Sequence, residues 1–536
     1  MPKESISYID TNFFSPLITD YLAENERVAE FYNRFPKLDN FEKQIEEKKN
    51  SYNGKGFRKT LVNALFEQYK DTKLSEETKK NIEALEQENT FTVTTGHQLN
   101  LFTGPMYFLY KIITAINLAA ELKKKYPANN FVPVYWMATE DHDFEEISFF
   151  NLHGKKFHWN PGKSKFLGGA VGEMPTESLQ DVYDLFSAEV GNSANARRLK
   201  ELFEAAYLQH KNLAEATRYL ANELFAAYGV VIIDGNNADL KRHFSPYMKE
   251  ELLEQVSYSE TLPLAQKLEE EGYSAQVNPR EINLFYMAEG LRERILEKDG
   301  RFFVHDTQLS WSREEMLELL EQHPERFSPN VIMRPLYEEV VLPNLCYIGG
   351  GGELAYWFEL KKYFEKVNIS FPVLLLRNSV LIQTEKQDQK RQKLNISLKE
   401  LFLKPHELIN RKVRQISNID IDFSPQKEHL VKQFQEMYEI AEKTDKSFLG
   451  AVKAQEVKQL KGLENLEKRL LKAQKRKLQD EVSRIAMLKE DLFPNKGLQE
   501  RHHNFSEFYL EYGEDLIPAL IQNLRPLELK FDILTL

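Results

Sequence analysis

The chain of 536 residues has almost no cysteine, the residue that forms disulfides and thiolate metal sites. Its single cysteine, Cys346, excludes intrachain disulfides and thiolate metal clusters. We expect this cysteine to be an inert buried residue. Zinc is disfavoured as well, because His97, His142 and Asp143 lack the ligand spacing of a zinc site. The sequence therefore predicts neither a zinc site nor a thiolate metal site.

Long apolar runs are also missing. No segment approaches the roughly 20 residues that span a bilayer, and the opening MPKESISYIDTNFF lacks the apolar core of a signal peptide. The formal charge is −11, from 71 basic and 82 acidic residues, which argues against general nucleic-acid binding. We therefore expect a cytoplasmic protein with neither a membrane nor a nucleic acid as its partner.

Residues 91–147 carry the most informative pattern. Phe91–Thr95 alternates apolar and polar residues and is rich in strand formers, which predicts a strand. Thr103-Gly104-Pro105 then opens a long helical pattern, with Thr103 as its N-cap and the proline in its first turn. The apolar run Phe131–Met137 predicts a second strand. This order is typical of an open α/β sheet, which binds ligands beyond the carboxyl ends of its strands.

Polar residues follow both predicted strands. The first is followed by Gly96, His97 and Gln98, and the second by Glu140, Asp141, His142 and Asp143. For the acidic cluster, general-base, amine-orienting and divalent-metal roles are all open, with helix capping by Asp143 as the alternative. The helix start after Gly104 and Pro105 presents N–H groups to a phosphate or carboxylate. His97 is placed to donate to a phosphoryl oxygen and Lys111 to reach the ligand, unless His97 merely caps a turn.

Further ligand-binding candidates lie later in the chain. The run Tyr347–Glu353 contains four glycines and opens a helix, so Gly350, Gly352 and Glu353 are expected to line a ligand site. A flexible surface turn is the alternative. Arg334, Arg377 and Asn378 follow strand signals and are candidates for carboxylate binding, although arginines at such positions also form surface ion pairs.

Composition divides the chain into four parts. Residues 1–90 predict short helices packed on the core, and residues 91–385 a sheet-containing core with insertions at about 151–228 and 245–330. Val230–Asp234, Val331–Arg334 and Phe371–Leu376 have strand character, the last fit for a central strand. Residues 386–492 predict a helical arm, and residues 493–536 a return to the core.

The arm has a heptad-like pattern. Lys446–Leu492 carries an apolar stripe at spacings of three, four, seven and eight, which predicts one continuous helix of roughly 65–70 Å. Gln426–Glu442 is predicted to fold back against it. Because such a stripe needs a partner, we expect a homodimer joined through this arm.

With these residues in view, the chain resembles the bacillithiol biosynthesis BshC family of cysteine-adding ligases. The resemblance runs end to end and rests on Thr95-Gly96-His97-Gln98, Trp136–Phe144, Asn330–Pro335 and Gly352–Trp357. Gly351 and Glu338 depart from the proline and glutamine common there, and His97 differs from members with glutamine. The resemblance implies an α/β fold: a Rossmann-like, nucleotidyltransferase-type core with connecting-peptide insertions and a dimer-forming α-helical coiled coil.

The resemblance also implies a reaction, the joining of the L-cysteine carboxyl to the amine of glucosaminyl-malate. ATP is the natural co-substrate for activating a carboxylate, and Mg²⁺ is compatible with it. The His-x-Gly-His and Lys-Met-Ser-Lys-Ser signatures of class I synthetases are missing, as is a P-loop. The malate and nucleotide anions require local positive potential, which we expect from His97, Lys111, Arg334, Arg377 and the helix start at Gly104-Pro105.

Two functions remain in competition at this point. The first is an ATP-using cysteine ligase with its site at the strand ends. The second is a non-catalytic dimeric scaffold that binds a sugar-thiol intermediate for another enzyme. The polar clusters favour the ligase, and the long arm together with the missing synthetase signatures leaves room for the scaffold.

Overall fold

The computed structural model describes residues 3–444 and 446–536. The chain forms two compact units. The first consists mainly of Phe13–Leu381 and Gln499–Leu534, and the second mainly of Ile382–Leu498. Within the described residues, no helix is long and apolar enough to cross a membrane.

The elements are numbered in chain order. The strands are β1 (Lys3–Ile6), β2 (Thr90–His97), β3 (Asn130–Met137), β4 (Phe149–Leu152), β5 (Lys155–His158), β6 (Val231–Asp234), β7 (Leu284–Ala288), β8 (Leu291–Lys298), β9 (Arg301–Val304), β10 (Ser310–Ser312), β11 (Phe327–Pro329), β12 (Asn344–Gly349), β13 (Val373–Leu376), β14 (Ser379–Gln383) and β15 (Phe531–Thr535). The α-helices are α1 (Tyr8–Thr11), α2 (Pro16–Leu22), α3 (Asn40–Ser51), α4 (Arg58–Gln68), α5 (Glu76–Ala84), α6 (Tyr107–Lys125), α7 (Phe144–Ile147), α8 (Gln180–Val190), α9 (Ala194–Tyr207), α10 (Leu213–Phe225), α11 (Ala238–Glu254), α12 (Val256–Glu270), α13 (Arg313–Gln322), α14 (Arg334–Val341), α15 (Gly351–Phe358), α16 (Lys361–Lys366), α17 (Glu385–Lys393), α18 (Leu398–Leu401), α19 (Pro405–Ile416), α20 (Ser424–Ala441), α21 (Lys446–Lys477), α22 (Gln479–Leu492), α23 (Phe505–Tyr512) and α24 (Leu516–Asn523).

The central sheet of the first unit has the strand order β13-β12-β2-β3-β6, and all its pairings are parallel. In chain order these strands read 5-4-1-2-3, the doubly wound arrangement of Rossmann-like folds. The direction of winding reverses between β2 and β12. Such a switch point leaves a crevice at the carboxyl ends of the two strands, where ligands bind in open α/β sheets. The predicted fold class is confirmed.

The strands of this sheet are buried on both faces, although β2 alternates apolar residues with threonines. Every residue of β2 is buried, and β3 is buried from Phe131 onward. One face packs on α6 and α3 through a cluster that includes Val93, Leu118 and Ile348. Both strands predicted from residues 91–137, and the strand predicted at 230–234, are confirmed.

The predicted start of the helix after β2 is wrong. α6 begins at Tyr107, and Thr103 is not its N-cap. Phe102, Thr103 and Gly104 all have positive φ (48°, 69° and 62°), so this segment turns sharply before the helix starts. The side chain of Asn504 holds the turn by donating to the carbonyls of Phe102 and Gly104, at 2.6 Å each.

Two strand predictions also need correction. Residues 331–333 form a turn and Arg334 begins α14, because Pro335 fits the first turn of a helix. Residues 373–376 do form a strand, but β13 lies at the edge of the parallel sheet rather than in its centre. β13 is fully buried all the same, which accounts for its continuous apolar run.

The region between β6 and β12 adds a second sheet to the first unit. Its antiparallel order is β10-β9-β8-β7-β11. The segment between α12 and β7 has no regular secondary structure. A smaller hairpin, β4 with β5, follows β3 and α7.

The long helix predicted over Lys446–Leu492 is in fact two helices, α21 and α22. The helical path breaks at Leu478, where φ is −105° and ψ is 35°. Basic residues fill the last turn of α21, and Asp480 and Glu481 lie in the first turn of α22. Those charges suit a helix end followed by a helix start. At 1.5 Å per residue, α21 is about 48 Å long.

α20 packs against α21 as predicted, through Phe434, Ala441 and Val452. Glu467 on α21 accepts from Arg414 on α19 and Lys427 on α20. The predicted apolar stripe is buried only in its α22 part, whereas its α21 positions are half-buried.

Candidate functional site

A polar cleft of about 710 Å³ lies at the carboxyl ends of the parallel strands in the first unit. Gly96 and Gln98 reach it from β2, and Glu140 and Asp141 from the segment after β3. Tyr347 and Glu353 reach it from β12 and the glycine turn. The cleft therefore sits at the topological switch point.

The acidic side of the cleft is a small network. The amide of Gln98 donates to Asp141 (2.9 Å) and Glu146 (2.7 Å). Glu140 forms an ion pair with the buried Lys241, so its charge is already balanced. Asp141 and Glu146 are left as the anionic groups available to a ligand's ammonium.

Asp141 is held in its ionised form. Burial alone would raise the pKa of this carboxyl. Bonds from Gln98 and from the backbone N–H groups of His142 and Asp143, together with the Arg292 guanidinium, outweigh burial and lower its pKa. An ionised carboxylate is suited to holding an ammonium group.

The other two members of the predicted catalytic cluster do not line the cleft. Asp143 caps α7 by accepting from the Glu146 N–H, at 3.1 Å, which is the alternative that the sequence had left open. His142 packs against Phe285, and its Nδ1 lies 2.7 Å from Nη1 of Arg292. Burial and Arg292 lower the pKa of His142, so the imidazole is neutral and accepts from the arginine.

Three arginines also form part of the cleft wall, and the sequence reasoning missed all of them. They are Arg280 from the irregular segment before β7, and Arg292 and Arg294 from β8. A period of two places Arg292 and Arg294 on the same face of their strand. That spacing indicates two arginines on one face of a strand, but the sequence does not show that this strand lies at the cleft.

Arg292 is the buried member of this wall, whereas Arg280 is exposed. Arg292 donates from Nε to Ser328 and stacks its guanidinium over the Phe285 ring, 4.1 Å from the centroid. No ion pair of Arg280 or Arg294 is found among the described residues. This wall supplies positive charge that a substrate anion can use.

The floor of the cleft is a buried polar network. Lys111 donates to the Gly96 carbonyl (2.6 Å) and pairs with Glu353. Arg334 donates to the Tyr356 hydroxyl at 2.6 Å. The structure thus brings Lys111, Arg334 and Glu353 together as predicted site residues, but the charge of Lys111 is balanced by Glu353.

Two predicted sources of positive charge are wrong. His97 lines the cleft, but burial and the charges of Lys111 and Arg377 lower its pKa well below the usual range, so it is neutral. Gly104 and Pro105 do not line the cleft, and the backbone N–H that follows them already has a hydrogen-bond acceptor. The Met106 N–H donates to the His503 carbonyl at 2.8 Å.

The glycine turn borders a second cavity of about 400 Å³, which shares Tyr107, Glu353 and Tyr356 with the cleft. Gly350, Gly352 and Arg377 line it. The Gly350 N–H donates to Glu353, which fixes the turn.

The side chains of Arg377 and Asn378 bond to other parts of the protein and do not line the cleft. Arg377 is buried and paired with the buried Glu500 at 2.8 Å. Asn378 is buried too, bonded to Thr114 and to the Arg525 carbonyl, and it lines neither cavity. The prediction that Arg377 supplies free positive charge is therefore wrong, and Asn378 is not brought to either cavity.

Within residues 3–444 and 446–536, no three His, Cys, Asp or Glu side chains are grouped so as to hold a metal ion. Cys346 is fully buried, and burial raises the pKa of its thiol well above the usual value. It is an inert core residue, as predicted.

A Rossmann-ordered sheet with a charged cleft at its switch point, followed by a helical unit, defines the class of this chain. The bacillithiol biosynthesis BshC N-terminal Rossmann-like domain matches residues 1–378, and the C-terminal coiled-coil domain of the same family matches residues 380–536. The chain belongs to the bacillithiol biosynthesis BshC family.

The sequence similarity to curated relatives extends over almost the whole length of each protein. The chain is 63% identical to a protein of Christiangramia forsetii over 535 residues, covering 100% of this chain and 99% of the relative. It is 59% identical to one of Flavobacterium johnsoniae, covering 100% of both. Identity to one of Cytophaga hutchinsonii is 38%, covering 98% and 97%. Each relative bears the name "Putative cysteine ligase BshC".

Proposed function

We propose that the chain is a cysteine ligase of bacillithiol biosynthesis that joins L-cysteine to the amine of glucosaminyl-malate, with ATP activating the cysteine carboxyl. The names of the relatives support the class of reaction. Glucosaminyl-malate as the acceptor is what the resemblance to the family implies, and ATP is proposed because amide formation from a free carboxylate requires activation.

The observation that carries the proposal is that one cleft is lined by both carboxylates and arginines. Asp141 and Glu146 line it, and so do Arg280, Arg292 and Arg294. Glucosaminyl-malate has one amine and two carboxylates, so each kind of charged group in the substrate has a partner on the cleft wall. Charge-assisted hydrogen bonds of this kind each contribute on the order of 1.5–3 kcal/mol.

The reaction needs a leaving group on the carboxyl carbon. A cysteine carboxylate oxygen attacks a phosphorus atom of ATP and displaces diphosphate or ADP, which gives an acyl-adenylate or an acyl phosphate. The substrate amine then attacks the acyl carbon, loses a proton, and expels AMP or phosphate. Mg²⁺ accompanying ATP would take most of its ligands from the phosphates and water.

Asp141 has a defined part in this scheme. Because its pKa is lowered, Asp141 stays ionised and can hold the substrate ammonium in place. It orients the nitrogen toward the acyl carbon, and solvent takes one proton from the ammonium before the attack and a second as the amide bond forms. Gln98 fixes the carboxylate for that task.

The test is purified full-length protein incubated with ATP, L-cysteine and glucosaminyl-malate, with bacillithiol measured by mass spectrometry. We expect turnover, and a loss of about a hundredfold or more in Asp141→Asn with the melting temperature unchanged. Glu321→Gln, at an exposed site on α13, is the control and should keep full activity. Substrate binding without turnover in the parent protein would favour the scaffold function instead.

A further inference from the structure

Glu338 on α14 is a carboxyl group buried directly behind the cleft floor. Its side chain is 0% exposed. Oε1 has no hydrogen-bond partner among the described residues, and Oε2 has a long contact of 3.4 Å with Nη1 of Arg334. Arg334 itself is 20% exposed and reaches the cleft. Glu338 is thus poorly satisfied for an ionised group.

The neighbours of Glu338 are mostly engaged with one another. The charged and titratable groups that face it are Arg334 and Glu339 on its own helix, Glu353 and Tyr356 on α15, Lys111 on α6 and Tyr347 on β12. Glu339 is paired with the buried Lys48 at 2.7 Å, and Lys111 with Glu353. Arg334 is therefore the remaining cation of this cluster.

The surroundings keep Glu338 protonated. Burial raises its pKa to about 8, with Arg334 opposing the shift and Glu339 and Glu353 adding to it. At neutral pH the pair accordingly consists of a neutral carboxyl and a charged guanidinium. A neutral carboxyl still fills the space behind Arg334 without cancelling its charge.

We propose that Glu338 is a positioning residue: in its uncharged form it holds the Arg334 guanidinium at the cleft floor with its charge available to a carboxylate or phosphate of the substrate. This inference rests on the proposed function for the identity of the substrate. When Glu338 ionises, it draws Arg334 into an internal ion pair, and the cleft loses one cation. Anion affinity therefore falls as pH rises through the pKa of this carboxyl.

Calorimetric titration of glucosaminyl-malate into the full-length protein at pH 7 and pH 9 tests the proposal. Glu338→Gln mimics the neutral carboxyl, and Glu338→Ala removes the support. At pH 7 we expect Glu338→Ala to bind about tenfold more weakly and Glu338→Gln to rescue that loss. At pH 9 the parent protein should bind about tenfold more weakly than Glu338→Gln, because one pH unit above the pKa leaves about a tenth of the carboxyl protonated. Titration of the ligand affects both proteins equally and cancels in this ratio.

A second measurement needs no ligand. A folded-state pKa above the usual value near 4.5 adds stability that is fully present at acidic pH and is lost as pH rises toward about 8. The melting temperature of the parent protein minus that of Glu338→Gln should therefore fall between pH 5 and pH 9. The same difference at both pH values, or equal ligand affinities of the two proteins at pH 9, would overturn the proposal. A third outcome separates the two proposals. If the difference in melting temperature falls with pH but glucosaminyl-malate binds at no pH, the neutral Glu338 carboxyl is supported and the proposed substrate is contradicted.

Discussion

At the scale of single residues, the first unit contains two kinds of arginine. Some are paired with a buried carboxylate, and others have no such partner among the described residues. Arg377 is 4% exposed and its partner Glu500 is 0% exposed. Glu500 also accepts the Val380 N–H, so it fastens the end of the sheet to a distant part of the chain. Arg280 is exposed at the mouth of the cleft. The two residues should therefore fail in different ways when they are removed.

Arg377→Ala should lower the free energy of unfolding by about 3–5 kcal/mol, because it leaves Glu500 as an uncompensated buried charge. Arg280→Ala should leave stability unchanged and weaken binding of glucosaminyl-malate about tenfold, the loss of one charge-assisted hydrogen bond. Denaturant unfolding and calorimetric titration of both variants check this. If Arg377→Ala were as stable as the parent protein but bound glucosaminyl-malate more weakly, Arg377 would be a ligand-binding residue after all.

Local pattern predicted part of the candidate site and could not predict the rest. Gly96, Gln98 and Asp141 were predictable because they follow apolar strands, whose carboxyl ends meet at one edge of a parallel sheet. Arg280 and Arg292 lie far from those strands in sequence, and they reach the cleft only because the folded chain brings the segment before β7 and strand β8 to it. The charge state of His97 depends on burial and on two neighbouring cations, which spacing does not reveal.

At the scale of elements, the second unit has apolar surface that its own helices leave exposed. Ile440 at the end of α20 is 60% exposed and Val457 on α21 is 57% exposed. The apolar stripe along α21 is only half-buried by the neighbouring helices. We propose that a second copy of the chain covers this surface, since a long amphipathic helix gains most of its stability from packing its apolar face.

Substituting both Ile440→Glu and Val457→Glu should convert the protein to a monomer in sedimentation velocity, because charges placed in an apolar interface are costly to desolvate. Lys453→Glu changes charge at an exposed position of the same helix and should remain dimeric. A monomeric parent protein, or a double variant that still dimerises, would contradict the dimer.

The elements were predictable where burial is continuous and misjudged where the backbone departs from a regular path. β2 was recognisable by its alternation of apolar and polar residues, and β3 and β6 as apolar runs. The break at Leu478 was not recognised, because the heptad-like stripe continues through it. The change from basic to acidic side chains around this residue was the available sign of one helix ending and another beginning.

At the scale of the whole molecule, one chain combines a charged cleft in a Rossmann-like unit with a helical unit, and the family match extends over both. We propose that this chain activates the cysteine carboxyl and passes the acyl group to an amine. In that reaction, one oxygen of the carboxylate must leave with the phosphorus-containing product.

The most direct measurement uses L-cysteine labelled with ¹⁸O in both carboxylate oxygens, together with ATP, glucosaminyl-malate and the full-length protein. Mass spectrometry of the products should find one ¹⁸O in bacillithiol and the other in AMP or in phosphate, and the labelled product identifies the intermediate as an acyl-adenylate or an acyl phosphate. Bacillithiol formed without ¹⁸O in either phosphorus-containing product, or no bacillithiol at all from protein that binds both substrates, would contradict activation of the cysteine carboxyl by this chain.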